Sequence, residues 1–328
     1  MSRRRAVISL TATALVLAAT TLSSCGGGSQ ETKNPANSES RITFTKEESN
    51  GSSQTYVANA DLSDQKKVTS GPADNGWSVW KPGGGKLVFE STRNDPDPND
   101  SEAINDIYTM NPDGTGVAKL THSDDVSDAA AWSPDGEQIV YGSDQRTSAW
   151  RREIYVMDAD GTNVRRVTTL PKEAAVDTAP RFSPDGNRLV FTRYISEEIP
   201  IEAALFTVRL DGGGLEQLTP WGNGAGDADW SPDGTKIVFE AYPSPDSYGD
   251  IFTIEADGGQ LTNLTDNMSS GGGSSDPVWS SNGKKILFVS RHDFKGESGI
   301  GLATMNPDGT DRHFVSPNPE EVHQPDWR

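Results

Sequence analysis

Apolar residues come in short runs along this chain, and the same polar turn precedes them at near-constant spacing. Trp132-Ser133-Pro134-Asp135-Gly136 leads into Ile139-Val140-Tyr141. Phe182-Ser183-Pro184-Asp185-Gly186 leads into Leu189-Val190-Phe191, and Trp230-Ser231-Pro232-Asp233-Gly234 into Ile237-Val238-Phe239. Looser copies place Trp80-Lys81-Pro82-Gly83-Gly84 before Leu87-Val88-Phe89, and Trp279-Ser280-Ser281-Asn282-Gly283 before Ile286-Leu287-Phe288. Trp327 stands one residue from the end. The aromatic positions 80, 132, 182, 230, 279 and 327 step by 52, 50, 48, 49 and 48 residues. Periods of this size mark solenoids and propellers.

Each unit reads as two hairpins. Ser bonds nearby amides, Pro presets φ, and Gly takes the left-handed site that closes the turn. A continuously apolar run of three or four residues then fits a strand buried on both faces. A third strand follows, as in Asp106-Ile107-Tyr108-Thr109-Met110, Glu153-Ile154-Tyr155-Val156-Met157 and Asp250-Ile251-Phe252-Thr253-Ile254. Turns such as Asn111-Pro112-Asp113-Gly114 lead to a short fourth strand ending in Leu120-Thr121, Val167-Thr168, Leu218-Thr219 or Leu264-Thr265. Arg165 and Arg166 suit an outer edge, where charge discourages strand pairing. Four antiparallel strands per roughly 50 residues make one propeller blade.

The two ends complete each other. Arg41-Ile42-Thr43-Phe44, Thr55-Tyr56-Val57-Ala58 and Lys67-Val68-Thr69 match the second, third and fourth strands of a blade that lacks its first. Gln324-Pro325-Asp326-Trp327 matches a first strand with no blade after it. The pattern therefore predicts an all-β fold: a six-bladed β-propeller of four-stranded antiparallel blades, its ring closed by the C-terminal strand in the first blade. Closure removes two exposed sheet edges.

Residues 1–40 break the pattern. Arg3-Arg4-Arg5 precedes an apolar stretch from Ala6 to Leu22, short for a membrane span, that ends Leu22-Ser23-Ser24-Cys25. This resembles the lipobox of bacterial lipoproteins. The resemblance implies a signal peptide over 1–24, cleavage before Cys25, and lipid attachment at Cys25. Two or more acyl chains suffice for stable membrane anchoring. Residues 25–40 are Gly, Ser, Asn and charge, a composition that reads as a flexible tether. The propeller is assigned to 41–328.

Composition narrows the partners. The 328 residues carry a formal net charge of -19, which argues against nucleic acid and against electrostatic adhesion to anionic lipid. Gly 33 and Pro 20 fit a fold of many turns. The single cysteine excludes an intramolecular disulfide.

The W-S-P-D-G hairpin, the I-Y-x-M-D strand, the D-G turn and the terminal L-T resemble the repeats of TolB-like propellers. The likeness covers nearly all of 41–328. It implies an extracytoplasmic, protein-binding module of the bacterial envelope.

Alternating strand direction puts the S-P-D-G and D-G turns at one end of the ring, where their Asp residues read as turn formers. Longer, irregular loops gather at the other end, where binding residues usually lie. Trp77, Trp150 and Trp221 fall outside the repeat position, and Tyr242, Tyr248 and His323 join them as candidate partner contacts. Asp128, Asp177, Asp227 and Asp276 recur just before the first strands and are expected to ring the channel mouth. Oxygen-rich rings of this kind can hold Ca²⁺ or Mg²⁺, although a solvated acidic rim, or capping of loop amides, is the simpler account. His122, His292 and His323 follow no metal-ligand spacing. No G-x-S-x-G elbow or other catalytic set is present in the sequence. The reading is a monomeric, lipid-anchored scaffold for envelope proteins that is not an enzyme and carries no resident cofactor. The competing reading is a polysaccharide-binding or metal-dependent, lyase-like propeller.

Overall fold

The computed structural model describes residues 41–98, 103–122, 125–144, 151–172, 176–196, 202–222, 224–242, 249–266, 272–291, 300–315 and 322–328. Among the described residues, twenty-four strands form six sheets, each of four antiparallel strands. Blade 1 holds β1 (Arg41–Glu47), β2 (Ser53–Asn59) and β3 (Lys66–Lys67). Blade 2 holds β4 (Asn75–Trp80), β5 (Leu87–Ser91), β6 (Asp106–Met110) and β7 (Ala118–Lys119). Blade 3 holds β8 (Ser127–Trp132), β9 (Gln138–Ser143), β10 (Glu153–Asp158) and β11 (Arg165–Arg166). Blade 4 holds β12 (Val176–Phe182), β13 (Arg188–Ser196), β14 (Glu202–Arg209) and β15 (Glu216–Gln217). Blade 5 holds β16 (Gly226–Trp230), β17 (Lys236–Ala241), β18 (Asp250–Glu255) and β19 (Thr262–Asn263). Blade 6 holds β20 (Ser274–Trp279), β21 (Ile286–Ser290), β22 (Gly301–Met305) and β23 (His313–Phe314).

The last strand, β24 (His323–Trp327), does not start a seventh sheet. It pairs antiparallel with β1, Ile42 opposite Trp327 and Thr43 opposite Asp326. The sheet order β24-β1-β2-β3 gives blade 1 its missing inner strand and closes the ring as the sequence ends predicted.

Motif chemistry is visible bond by bond. Ser133 Oγ donates to Asp135 and accepts the Gln138 amide at 2.9 Å, and Ser183 and Ser231 repeat this. The Thr of each L-T ending accepts an N–H from the third strand: Ile107 to Thr121, Ile154 to Thr168, Leu205 to Thr219 and Ile251 to Thr265. Within blades, cross-strand aromatic pairs such as Phe44–Tyr56, Phe191–Phe206 and Phe239–Phe252 stack with centroids 5.7–5.9 Å apart. Such pairs add to burial energy. The repeat tryptophans Trp80, Trp132, Trp230 and Trp279 are 5–7% exposed, as expected of residues packed between blades.

One feature of the inner strands was not predicted. Each of the six shifts register at one point, and one residue there takes a left-handed backbone: Trp77, Ala129, Ala179, Asp227, Asp276 and Gln324, with φ between 45° and 53°. None is glycine. Side chains of the preceding blade accept the bulge amides of Trp77, Ala129 and Asp276.

Candidate functional site

The S-P-D-G and D-G turns lie at one end of the strands, the lower end, and the opposite strand ends make the upper end. The channel between them is constricted. A lower vestibule of about 680 Å³ is lined by Trp80, Trp132, Phe182, Trp279 and Trp327. Above it the channel narrows to a cavity of about 30 Å³, lined by Arg181, Asp227, Asp229, Asp276 and Trp77. That volume admits little more than water.

Four acidic side chains and one carboxamide serve as latches between blades. Glu90 Oε2 accepts the Ala129 amide at 2.9 Å, and Glu240 Oε2 accepts the Asp276 amide at 3.1 Å. Gln324 Oε1 accepts the Trp77 amide at 3.1 Å, and the Gln324 amide in turn donates to Asp276. One level down, Asp326 accepts the Trp80 amide at 2.8 Å and Asp229 the Trp279 amide at 2.9 Å. In every case the acceptor lies one blade earlier than the donor. Buried backbone donors must find partners, and these side chains supply them where the bulge breaks the ladder.

Burial raises the proton affinity of these acids. Glu90 is pushed up to about 8, by burial first and then by Asp128. Asp227 is pushed up to about 7 by burial and by Asp276, and Asp229 to about 6, mainly by burial. Burial also raises Glu240, Asp276, Asp128 and Asp326. Desolvation disfavours the charged form, and neighbouring acids add to it.

The sequence candidates scatter. Trp77 lies inside β4 at the bulge, not in a loop, because the left-handed residue extends the inner strand upward; it is half-buried at the channel mouth. His323 likewise belongs to β24, opposite Thr45, and not to a rim loop. Tyr242 follows β17 and hydrogen-bonds Glu240, whose charge pushes the phenol well up. Trp221 is half-buried, its ring 5.5 Å from that of Phe206, and covers the core of blades 3 and 4. His122 is exposed. Trp150, Tyr248, His292 and Cys25 lie outside the described residues.

The four aspartates do not form one ring. They sit within the inner strands at three register positions, because the bulge shifts what the sequence aligned. Asp227 and Asp276 occupy the left-handed site, Asp128 the residue before it, and Asp177 two before it. Asp177 is fully buried and bound by Arg193 at 2.6 and 2.8 Å, a pair that ties β12 to β13. Asp128 pairs with Arg152. Among the described residues, no group of three or more His, Cys, Asp or Glu is arranged to hold a metal ion.

Glu90 and Glu240 were missed. Both terminate a Val-Phe run at the same point of the second strand, in blades 2 and 5. Both face a glycine, Gly76 and Gly226, across the register. An acid closing an otherwise apolar strand opposite glycine was the available signal.

A sequence profile of the TolB beta propeller domain matches residues 172–327, which spans blades 4 to 6 and the closing strand. The crystal structure of TolB from Acinetobacter baumannii superposes with a TM-score of 0.66 at 20% identity, over 89% of this chain and 67% of that one. The fold is that of TolB-like propellers, and blades 4 to 6 carry the sequence pattern of that family. An uncharacterized protein of Agrobacterium fabrum is 29% identical over 173 residues, 51% of this chain and 54% of that relative. A Roseobacter denitrificans protein named Tol-Pal system protein TolB is 34% identical over 94 residues, 26% of this chain and 20% of its own length. The TolB-like chain thus spans about half the length of the first of these relatives and a fifth of the second.

Proposed function

We propose that this TolB-like propeller is an extracytoplasmic module of the bacterial cell envelope, anchored through a lipid on Cys25, that binds a protein partner with its upper end. The observation that carries the reading is Trp77. Five blades place Ala, Asp or Gln at the left-handed bulge, and blade 2 alone places a bulky aromatic there, half-exposed at the channel mouth. A bulky side chain at positive φ is strained, and such strain clusters at functional sites. Large, half-exposed aromatics are the usual anchors of protein interfaces. The name of the Roseobacter relative, which places that protein in the Tol-Pal system, supports a protein partner.

Crosslinking in intact cells followed by affinity capture tests the interaction. Wild-type protein should recover a defined partner, and Trp77→Gly should lose it, since glycine accepts the left-handed backbone and removes only the ring. Equal recovery by both would contradict the role of this face. Cys25→Ser should move the protein from the membrane fraction to the soluble fraction and abolish incorporation of labelled palmitate. Membrane retention of that variant would remove the anchor from the account.

A further inference from the structure

Two recesses open at the upper end and share one side chain. The larger, of about 330 Å³, is lined by Trp77, Glu90, Asp128, Arg152, Thr178 and Tyr194, from blades 2, 3 and 4. The smaller, of about 290 Å³, is lined by Glu90, Asp74, Asn105 and Gln324 among others. Each lies at the small end of the range of ligand pockets, roughly 300–1,000 Å³. Glu90 stands between them, its Oε2 fixed by the Ala129 amide.

The lining selects a chemistry. Asp128 and Arg152 are paired, so neither presents an uncompensated charge to the larger recess. Glu90 holds its proton at neutral pH, being raised to about 8, and offers a donor as well as an acceptor. The larger recess is therefore close to electroneutral, in a chain of strongly negative net charge. Its polar groups are two carboxyls, a guanidinium, a phenol and a hydroxyl, held by paired strands and the Arg152–Val176 bridge. Trp77 supplies an aromatic ring beside them. An ion entering this recess would lose its hydration without meeting an opposite charge, which is costly. A ring bearing several hydroxyls and one C–H face would use the donors, the acceptors and the aromatic surface together.

We propose that the two recesses are adjoining subsites for a neutral oligosaccharide, with one sugar unit stacked on Trp77 and the next lying beyond Glu90. This site shares Trp77 with the proposed protein-binding face, but its test is separate: it concerns a small ligand of the purified chain and needs no partner.

Titration calorimetry of the intact protein with chitobiose, cellobiose, maltose and mannobiose tests it, with the matching monosaccharides and digalacturonate as comparison arms. At least one neutral disaccharide should bind, about tenfold or more tighter than its monosaccharide, as two subsites require. Trp77→Gly should weaken that binding about tenfold or more while the melting temperature is retained. Thr178→Val should weaken it with little change in volume, and Glu90→Gln should largely preserve it at neutral pH. Failure of every neutral disaccharide to bind overturns the proposal, as does tighter binding of digalacturonate. Unchanged affinity in Trp77→Gly equally overturns it. Envelope capture by wild-type protein that persists after these failures would leave the protein-binding reading standing alone.

Discussion

Gly161 sits in the D-G turn of blade 3 with φ of +87°, and a Cβ there would lie 2.9 Å from the Leu120 carbonyl of blade 2. Gly309 repeats the contact on Leu264 of blade 5 at 2.7 Å. The turn glycine of the motif therefore serves twice, for its backbone angle and for the close approach of the preceding blade. Gly161→Ala is expected to destabilise by about 1–3 kcal/mol. Gly85→Ala, where the space is open and φ is unremarkable, should fall within about 0.5 kcal/mol. Denaturant melts of the two variants check the contrast. The turn acids make a different case. Asp135, Asp160 and Asp233 accept a neighbouring hydroxyl and amide and are lowered by those bonds. The expectation that they form turns agrees with their bonding.

At the level of strands, the hairpins were legible because their chemistry is local. Ser, Pro, Asp and Gly act within five residues of one another, so the motif and its bonds are the same object. The bulge in each inner strand was not legible. Its occupants, Trp77, Ala129, Ala179, Asp227, Asp276 and Gln324, share no single residue type, and the amides of Trp77, Ala129 and Asp276 are held by side chains of the preceding blade that are 247, 39 and 36 residues away in sequence. Pro180, Pro277 and Pro325, each directly after the left-handed residue, were the visible trace, since proline inside a strand favours edges and bulges. The misaligned aspartates follow from this: a recurring residue type looked like a ring, but one residue of slip changes which side of the strand it faces. The inter-blade latches give an element-scale prediction. Asp229→Ala leaves the Trp279 amide without its acceptor and should cost about 1–3 kcal/mol, whereas Asp229→Asn keeps an acceptor and should cost under about 1 kcal/mol. Chemical denaturation of both variants distinguishes a latch from an incidental contact.

Taken over the whole ring, the inner wall concentrates acids that resist ionising. Glu90, Asp227 and Asp229 are raised to about 8, 7 and 6, and Glu240, Asp276 and Asp326 are raised as well. In the unfolded chain these groups lose their protons near the ordinary carboxylate values. The folded ring thus binds more protons above that range, and its stability falls as pH rises through about 6 to 8. The lowered turn aspartates pull the other way, but only as pH falls below the ordinary carboxylate range. The melting temperature should therefore be higher at about pH 5.5 than at about pH 8.5, and Glu90→Gln should narrow the difference. A melting temperature that climbs across that interval would contradict the buried-acid account. All of these groups are buried because the ring is shut, and one strand shuts it. Deleting residues 323–328 removes β24, the acceptor for the Trp80 amide and the partner of β1. A thermal melt of that truncated chain is the most direct test. Closure by β24 predicts a melting temperature far below that of the intact protein or no cooperative transition at all, and a melt indistinguishable from the intact protein would contradict it.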